Sequence, residues 1–377
     1  MVVARLEALR AARLHAQRRA TDLDALVRAT IGLHSTDYAT PYLSAWARLD
    51  ELDPRAMFAR LNAGRGLVRV NAFRNTVHVV LAEDAPTILA GTGAATELVG
   101  RRSGAIKPLS DLEVDRAVGD LLDALADGPL TNAALKDALP ALGADLRYWV
   151  MIGMGRGEIV RADGAAPRSN RTRYALARQW IPGFVPGQIR PAEARRDLLA
   201  RAIRAFGPVT EADLAWWLPA PKGEVTRALA SFGGTVARVV VDGTTYWFDP
   251  ALADTPAPPR ETSGAWLLPY EDALLKGYQD RAWCLAPGLQ PVVFPHNPEH
   301  WFPPDGVDPG PGPHPGVRAS GEARPTVWYG GRVVGRWEER GGVVMQLHVD
   351  VGTEGVHAVA RERERLERFL AECFERM

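Results

Sequence analysis

Cysteine and lysine are scarce in this 377-residue chain, and long apolar runs are missing. Two cysteines, Cys284 and Cys373, cannot staple a fold or fill a four-ligand metal site alone, so a disulfide framework is excluded and a reducing compartment is expected. No stretch approaches the roughly eighteen consecutive apolar residues that a membrane-spanning helix needs. The first residues, MVVARLEALRAARLHAQRRA, scatter arginines through an amphipathic helical pattern instead of placing a basic end before an apolar run. They do not read as an export signal. Net charge is lacking too, with 45 basic residues against 45 acidic ones, which gives no overall support for a polyanionic partner. The expectation is a cytoplasmic protein without a membrane partner, long enough for two or three domains and 46% hydrophobic, ample for buried cores.

What the chain does contain is a repeated unit. GPLTNAALKDAL at 128–139 and GPVTEADLAWWL at 207–218 each place Gly-Pro and a threonine before apolar residues at helical spacing. Thr131 and Thr210 are the expected helix N-caps, with Asp213 completing a near capping box. An amphipathic helix precedes each copy (VDRAVGDLLDAL, RRDLLARAIRAF), and a further helix follows (LRYWVMIGMGRG, KGEVTRALASF). Each ends in a hairpin pattern, EIVRADGAAPRSNRTRYALA or TVARVVVDGTTYWFDP. Helix, turn, helix, helix and a two-stranded wing is the winged-helix order. A degenerate third copy precedes them, with helices over 23–33, 41–49 and 54–62 and then LVRVNAFRNTVHVVLA as two short strands.

Charge is distributed less evenly than its sum suggests. Between 164 and 204 nine arginines (168, 171, 173, 178, 190, 195, 196, 201 and 204) meet only Glu193 and Asp197. Such a stretch can neutralise phosphates or be balanced by acids elsewhere in the fold.

Five ordered segments carry a resemblance: LVRATIGLHSTDYATPYLSAWARL (26–49), FRNTVHVVLAEDA (73–85), FGPVTEADLAWWL (206–218), LLPYEDALLKGYQDR (267–281) and PTVWYGGRVVGRW (325–337). Together they resemble the bacterial winged-helix DNA glycosylase family of AlkZ and YcaQ, across most of the chain. The resemblance implies an α+β fold of three tandem winged-helix units around a concave surface, followed by a β-rich C-terminal region. The units fall at 1–110, 111–190 and 191–255, with the last region at 256–377 and a Pro/Gly-rich loop at 301–325. It also implies excision of bulky alkylated or crosslinked bases without metal or cofactor, from damaged double-stranded DNA in the nucleoid, by a monomer.

Where that family carries Gln-x-Gln or Gln-x-Asp, this chain has Leu33-His34-Ser35-Thr36-Asp37. His34 stands in the place of the first glutamine, Thr36 in that of the second, and Asp37 follows. Hydrolysis of an N-glycosidic bond passes through an oxocarbenium-like sugar, so it needs a group that positions water and a negative charge that favours the cation. His34 can orient the water or act as base, Thr36 can hold it, and Asp37 can oppose the developing charge. The competing structural reading makes Thr36 and Asp37 N-caps of the following helix, with His34 closing a loop. A rival from another class is a non-enzymatic winged-helix protein, a lesion sensor or regulator that kept the scaffold and lost the glutamine motif.

Alternation in FRNTVHV places Arg74, Thr76 and His78 on one strand face, where the family has an Arg-Gly-Thr-x-His-like sequence. Arg74 and His78 are therefore candidate DNA contacts, as are Arg171 and Arg173 in the arginine-rich stretch. VWYGGRVVGRW is a hairpin signal across Gly330-Gly331, and by resemblance Tyr329 and Arg332 at its tip suit a groove wedge and a phosphate contact. The alternative is a sheet corner with Trp328 and Trp337 in the core. His296, Glu299 and His300 in PHNPEH do not make a helical metal motif, because Pro298 breaks the spacing. GMGRGE at 153–158 lacks the preceding strand and the lysine of a phosphate-binding loop.

Overall fold

The computed structural model describes every residue except 1, 19, 105–109, 163, 165, 170, 255–263, 296–321 and 375–377. Helices α1 (Val2–Arg18) and α2 (Leu23–Thr30) lead into the two-residue strand β1 (Leu33–His34), then α3 (Thr40–Arg48), α4 (Pro54–Asn62), β2 (Leu67–Asn71) and β3 (Val77–Leu81). Local chemistry sets these boundaries. Asp22 accepts from Ala25 N at 2.8 Å to start α2, and Asp53 accepts from the N–H groups of Arg55 and Ala56 to start α4, with Pro54 at the first helical position.

The long α5 (Ala85–Gly104) crosses to the unit that contains the first Gly-Pro copy: α6 (Asp111–Ala124), β4 (Leu130–Thr131), α7 (Asn132–Ala138), α8 (Leu146–Gly155), β5 (Ile159–Arg161), β6 (Arg173–Leu176) and α9 (Ala177–Trp180). The second copy sits in α10 (Pro191–Phe206), α11 (Glu211–Trp217), α12 (Lys222–Ser231), β7 (Ala237–Val241) and β8 (Thr244–Phe248). Both threonines cap as expected. Thr131 accepts from Ala134 N at 3.2 Å, and Thr210 accepts from Asp213 N at 3.1 Å, with Asp213 returning to Thr210 N.

The C-terminal region contains β9 (Ala265–Leu268), α13 (Ala273–Lys276), α14 (Gln290–Val293), β10 (Thr326–Tyr329), β11 (Arg332–Glu339), β12 (Val343–Leu347) and the 18-residue α15 (Gly352–Phe369). A four-stranded sheet of β9–β12 lies in this region together with α15, which packs on β9 and buries Val359, Leu366 and Phe369, the last beside Trp46 of α3. The hairpin between β10 and β11 turns at Gly330 and Gly331, whose φ of +57° and +71° meet the demand of a primed turn.

The described strands form three sheets. One is six-stranded in the order β1-β3-β2-β5-β6-β4, so the strands of the N-terminal unit and of the first Gly-Pro unit share a sheet through the Arg69–Arg161 pairing of β2 with β5. The others are the four-stranded β12-β11-β10-β9 and the two-stranded β7-β8. A main core joins the N-terminal unit, the second Gly-Pro unit and the C-terminal sheet, while Leu121, Leu135, Leu146, Val150 and Ile159 make a separate small core. The glycines of GMGRGE serve packing. A Cβ on Gly155 would lie 2.4 Å from Glu97 N, and one on Gly93 would lie 2.2 Å from Gly155 O, so α5 and α8 cross at backbone contact.

Several expectations change. The run FRNTVHV is not one strand: Phe73–Asn75 form a 3-10 turn in which Arg74 and Asn75 take φ of +53° and +56°, and β3 starts only at Val77. Arg74 therefore does not share a strand face with Thr76 and His78. Asn75 occupies the place of the family's glycine, which is what a left-handed backbone favours. His34 lies in β1 rather than in a loop. His296, Glu299 and His300 lie outside the described residues, as do 301–321 of the Pro/Gly-rich run. Beyond it the chain packs at Ala323 and Arg324, which are 1% and 4% exposed. No described helix is long and apolar enough to cross a membrane.

Candidate active site

The chain reaches the HSTD motif through a turn that only glycine fits. Ile31 ends α2 with a left-handed φ of +56°, Gly32 follows at +107°, and a Cβ there would lie 2.9 Å from Val80 Cγ1. This turn sets Leu33 opposite Val79 and His34 opposite His78 in antiparallel register. The two imidazoles meet edge to face with centroids 5.7 Å apart, and Tyr270 approaches His34 from another side at 5.5 Å.

His34 is 3% exposed, and its Nε2 lies 3.1 Å from Thr36 Oγ1. Burial, then the charge of Lys276, then His78 push its pKa well below the ordinary value, so the ring is neutral at pH 7. Its Nδ1 is buried without a partner. Either tautomer leaves Thr36 with a free polar function. If Nε2 accepts, the threonine oxygen keeps its lone pairs; if Nε2–H donates, the threonine hydrogen is free. His78 Nδ1 lies 3.1 Å from the Thr76 carbonyl, which makes it the protonated nitrogen, and burial with Lys276 pushes its pKa down to about 3.

Thr36 and Asp37 line a cavity of about 500 Å³ whose walls also include Tyr270, Arg324, Arg336 and Trp337. Asp37 is exposed, and its Oδ1 accepts from Ala39 N at 2.7 Å, so one oxygen supports the start of α3 while the other is left for the cavity. Thr36 bonds to His34 and not to the helix. The wall facing them is charged: Arg168 pairs with Glu339 across it, Arg336 reaches Gln346 at 2.8 and 3.0 Å, and burial pushes the Glu338 carboxyl up.

Two buried ion pairs fix this geometry from below. Arg48 and Asp272, both fully buried, join α3 to the start of α13 through contacts of 2.7 and 2.8 Å. Removing one partner would strand a buried charge, at a cost of about 3–5 kcal/mol. Lys276, 5% exposed, pairs with Glu271 and donates to Thr76 Oγ1 at 3.1 Å. Sequence reasoning passed over Tyr270, Glu271 and Lys276, although a signal was present. Charges inside the apolar run LLPYEDALLKGY have to be paired or aimed at a cavity.

The other candidates scatter. Arg74 lies with its guanidinium 3.5 Å from the Trp216 ring centroid, in the turn before β3. His78 is 6% exposed and sits behind His34, not on a surface. Arg171 is exposed on the arm between β5 and β6, close to the site, because Arg168 lines the cavity and Tyr38 donates to Thr172 at 3.2 Å. Arg173 donates to the Pro129 carbonyl at 2.9 Å. Tyr329 is half-buried against Gly355 of α15, and Arg332 lies 3.7 Å from Glu7 of α1. That hairpin tip is at the opposite end of β11 from the cavity, while Trp328 and Trp337 are buried, as in a sheet corner. Among the nine arginines of 164–204, Arg168, Arg190, Arg195 and Arg201 pair with acids, so much of the local excess is balanced within the fold. Among the described residues no group of three or more His, Cys, Asp or Glu is placed to hold a metal ion.

The family described as DNA glycosylase AlkZ-like matches residues 27–369 of the chain. No curated protein sequence matches. Among solved structures, the chain is similar to the Streptomyces sahachiroi DNA glycosylase AlkZ, with a TM-score of 0.76, 20% identity and coverage of 97% of each chain. At that identity the structural likeness establishes the fold alone.

Proposed function

The chain belongs to the AlkZ-like family of DNA glycosylases, and on that premise we propose that it acts as a monomer on damaged duplex DNA, hydrolysing the N-glycosidic bond of a bulky alkylated or crosslinked base. The observation that carries this reading is the His34–Thr36 pair at the edge of a cavity of about 500 Å³, with Asp37 beside it. A cavity of that volume suits a purine with an added group. In the reaction the bond from C1′ to the base breaks and its electron pair leaves with the base. A base already cationic through alkylation departs neutral. The oxygen of a water held by Thr36 bonds to C1′, and the water's proton passes to Asp37 or, through the Thr36 hydroxyl, towards His34. The Asp37 charge opposes the oxocarbenium character of the sugar. Arg171, Arg173 and Arg74 are the proposed backbone contacts, with Tyr329 and Arg332 as a second, more distant contact. His78 serves from behind His34.

The test is single-turnover excision on duplex DNA carrying N7-methylguanine, read as alkali-labile abasic sites. His34→Ala is expected to slow excision by roughly 100-fold with DNA affinity nearly intact, Asp37→Asn to slow it as well, and Thr36→Val to show a smaller loss. Unchanged rates in all three folded variants would remove the motif from the chemistry. Binding without abasic sites on any lesion tried would leave the non-enzymatic reading, a lesion sensor.

A further inference from the structure

A chain of contacts runs from the buried pair below the site to the motif residues. Lys276 closes α13 and is held by Glu271. Glu271 is itself fixed by the 322–325 segment, since its Oε1 accepts from Ala323 N and its own N–H donates to Ala323 O at 2.9 Å. Asp272 caps α13 by accepting from Leu274 N at 2.9 Å while it is locked to Arg48. The Lys276 ammonium then donates to Thr76 Oγ1, and the Thr76 carbonyl takes the Nδ1–H of His78. His78 is wedged between Phe73, at 5.2 Å, and His34, at 5.7 Å.

Resting on the glycosylase reading, we propose that Lys276 is a positioning residue for glycosidic cleavage: pinned by Glu271, it fixes Thr76, which sets the tautomer of the His78 ring, and through that ring the orientation of the His34–Thr36 pair. The electrostatics act in the same direction. After burial, the Lys276 charge is the next influence that keeps both imidazoles unprotonated. The groups facing the pair are Thr36 and His34 on the β1 side, Thr76 and His78 on the β3 side, Arg74 in the turn between β2 and β3, and Tyr270, Glu271 and Lys276 from the C-terminal region. Lys276 does not touch the cavity, so its influence on the reacting atoms passes through the histidines.

The experiment follows the imidazole NMR signals of His34 and His78 from pH 8 down to the lowest pH at which the free protein stays folded, beside the pH profile of single-turnover excision. The wild type should show neutral rings down to pH 5. Lys276→Met should raise the His34 pKa and move the acid limb of the excision profile to higher pH with it, while Lys276→Arg, which keeps the charge, should restore both. Because Lys276→Met leaves Glu271 unpaired, Lys276→Met/Glu271→Gln supplies a variant with neither buried charge, expected to shift in the same direction. Unchanged histidine signals and an unchanged profile in folded variants would overturn the proposal. Since the titration needs no lesion, shifted signals in a protein that excises nothing would overturn the glycosylase reading and leave the positioning geometry standing.

Discussion

In the copy at 128–139, Thr131 caps α7 from the surface and Ala134 stands three residues on. In the copy at 207–218, Thr210 caps α11 and the third residue on is Asp213, 1% exposed. That one difference goes with two ways of belonging to the molecule. The first copy gathers a small core of its own and is attached through a shared sheet. The second is tied in by charge. Asp213 takes Arg10 of α1 at 3.3 Å and Gln279 N at 2.8 Å, and Arg10 lies 4.9 Å from the Tyr278 ring centroid and 5.4 Å from that of Tyr246. Its Trp217 stacks on Phe73 with centroids 4.0 Å apart, and Trp216 lies under Arg74, so this copy buttresses the turn that leads into the site. The same local motif can thus be an attached unit or a structural keystone, depending on what its third helical residue reaches.

The sharpest way to break the comparison is Asp213→Ala. It strands the buried Arg10 charge and three backbone donors, the N–H groups of Thr210, Gln279 and Asp280, so a loss of about 3–5 kcal/mol is expected, read as a melting temperature lower by roughly 5 °C. A loss under about 1 kcal/mol would mean that the copies are equivalent.

Acid should separate the site wall from both copies, since neither contains a histidine. His78 is held neutral in the fold with its pKa near 3 but takes up a proton near pH 6.5 when unfolded. Its contribution is therefore complete above about pH 6.5 and is lost progressively as the pH falls towards 3. Between pH 7 and pH 5 it should remove about 2 kcal/mol of stability, measurable by urea unfolding and missing from the smaller acid loss of His78→Gln, in which His34, also held neutral by burial, still contributes its own. If His78→Gln kept the full acid sensitivity, His78 would not be a source of it.

The smallest contrast is in the caps. Thr131→Ala should cost about 1 kcal/mol, and Thr210→Ala somewhat more, because Asp213, whose N–H loses its Thr210 Oγ1 acceptor, is buried while Ala134 is partly exposed. Equal losses in thermal unfolding would remove the distinction at the level of the motif itself.

Much of the fold was legible because it rests on local chemistry. The cap at Thr131, the capping box at Thr210, the turn at Gly330-Gly331 and the helix-helix-hairpin order all follow from residues within a few positions of one another. The turn at 73–75 was misread for the converse reason. Alternation predicts a strand there, but the left-handed backbone at Arg74 and Asn75 interrupts it, in a turn closed by hydrogen bonds to the Phe73 carbonyl and packed through Phe73 and Arg74 on the Trp216-Trp217 pair. The arginine-rich stretch was legible in number but not in effect, since Glu339, Glu224 and Asp84 arrive from distant positions to meet it.

By itself the sequence determined the repeated helix starts, the α+β order, the family resemblance and the HSTD motif, all of which are encoded within short spans. Only the tertiary structure decided that His34 faces His78, that Lys276 and Glu271 lie beneath them, and that Thr36 and Asp37, not His34, reach the cavity. The physical reason is that burial and pairing are properties of what surrounds a residue. Whether a histidine is neutral depends on how much water and which charges remain near it, and those neighbours come from chain segments some two hundred residues away.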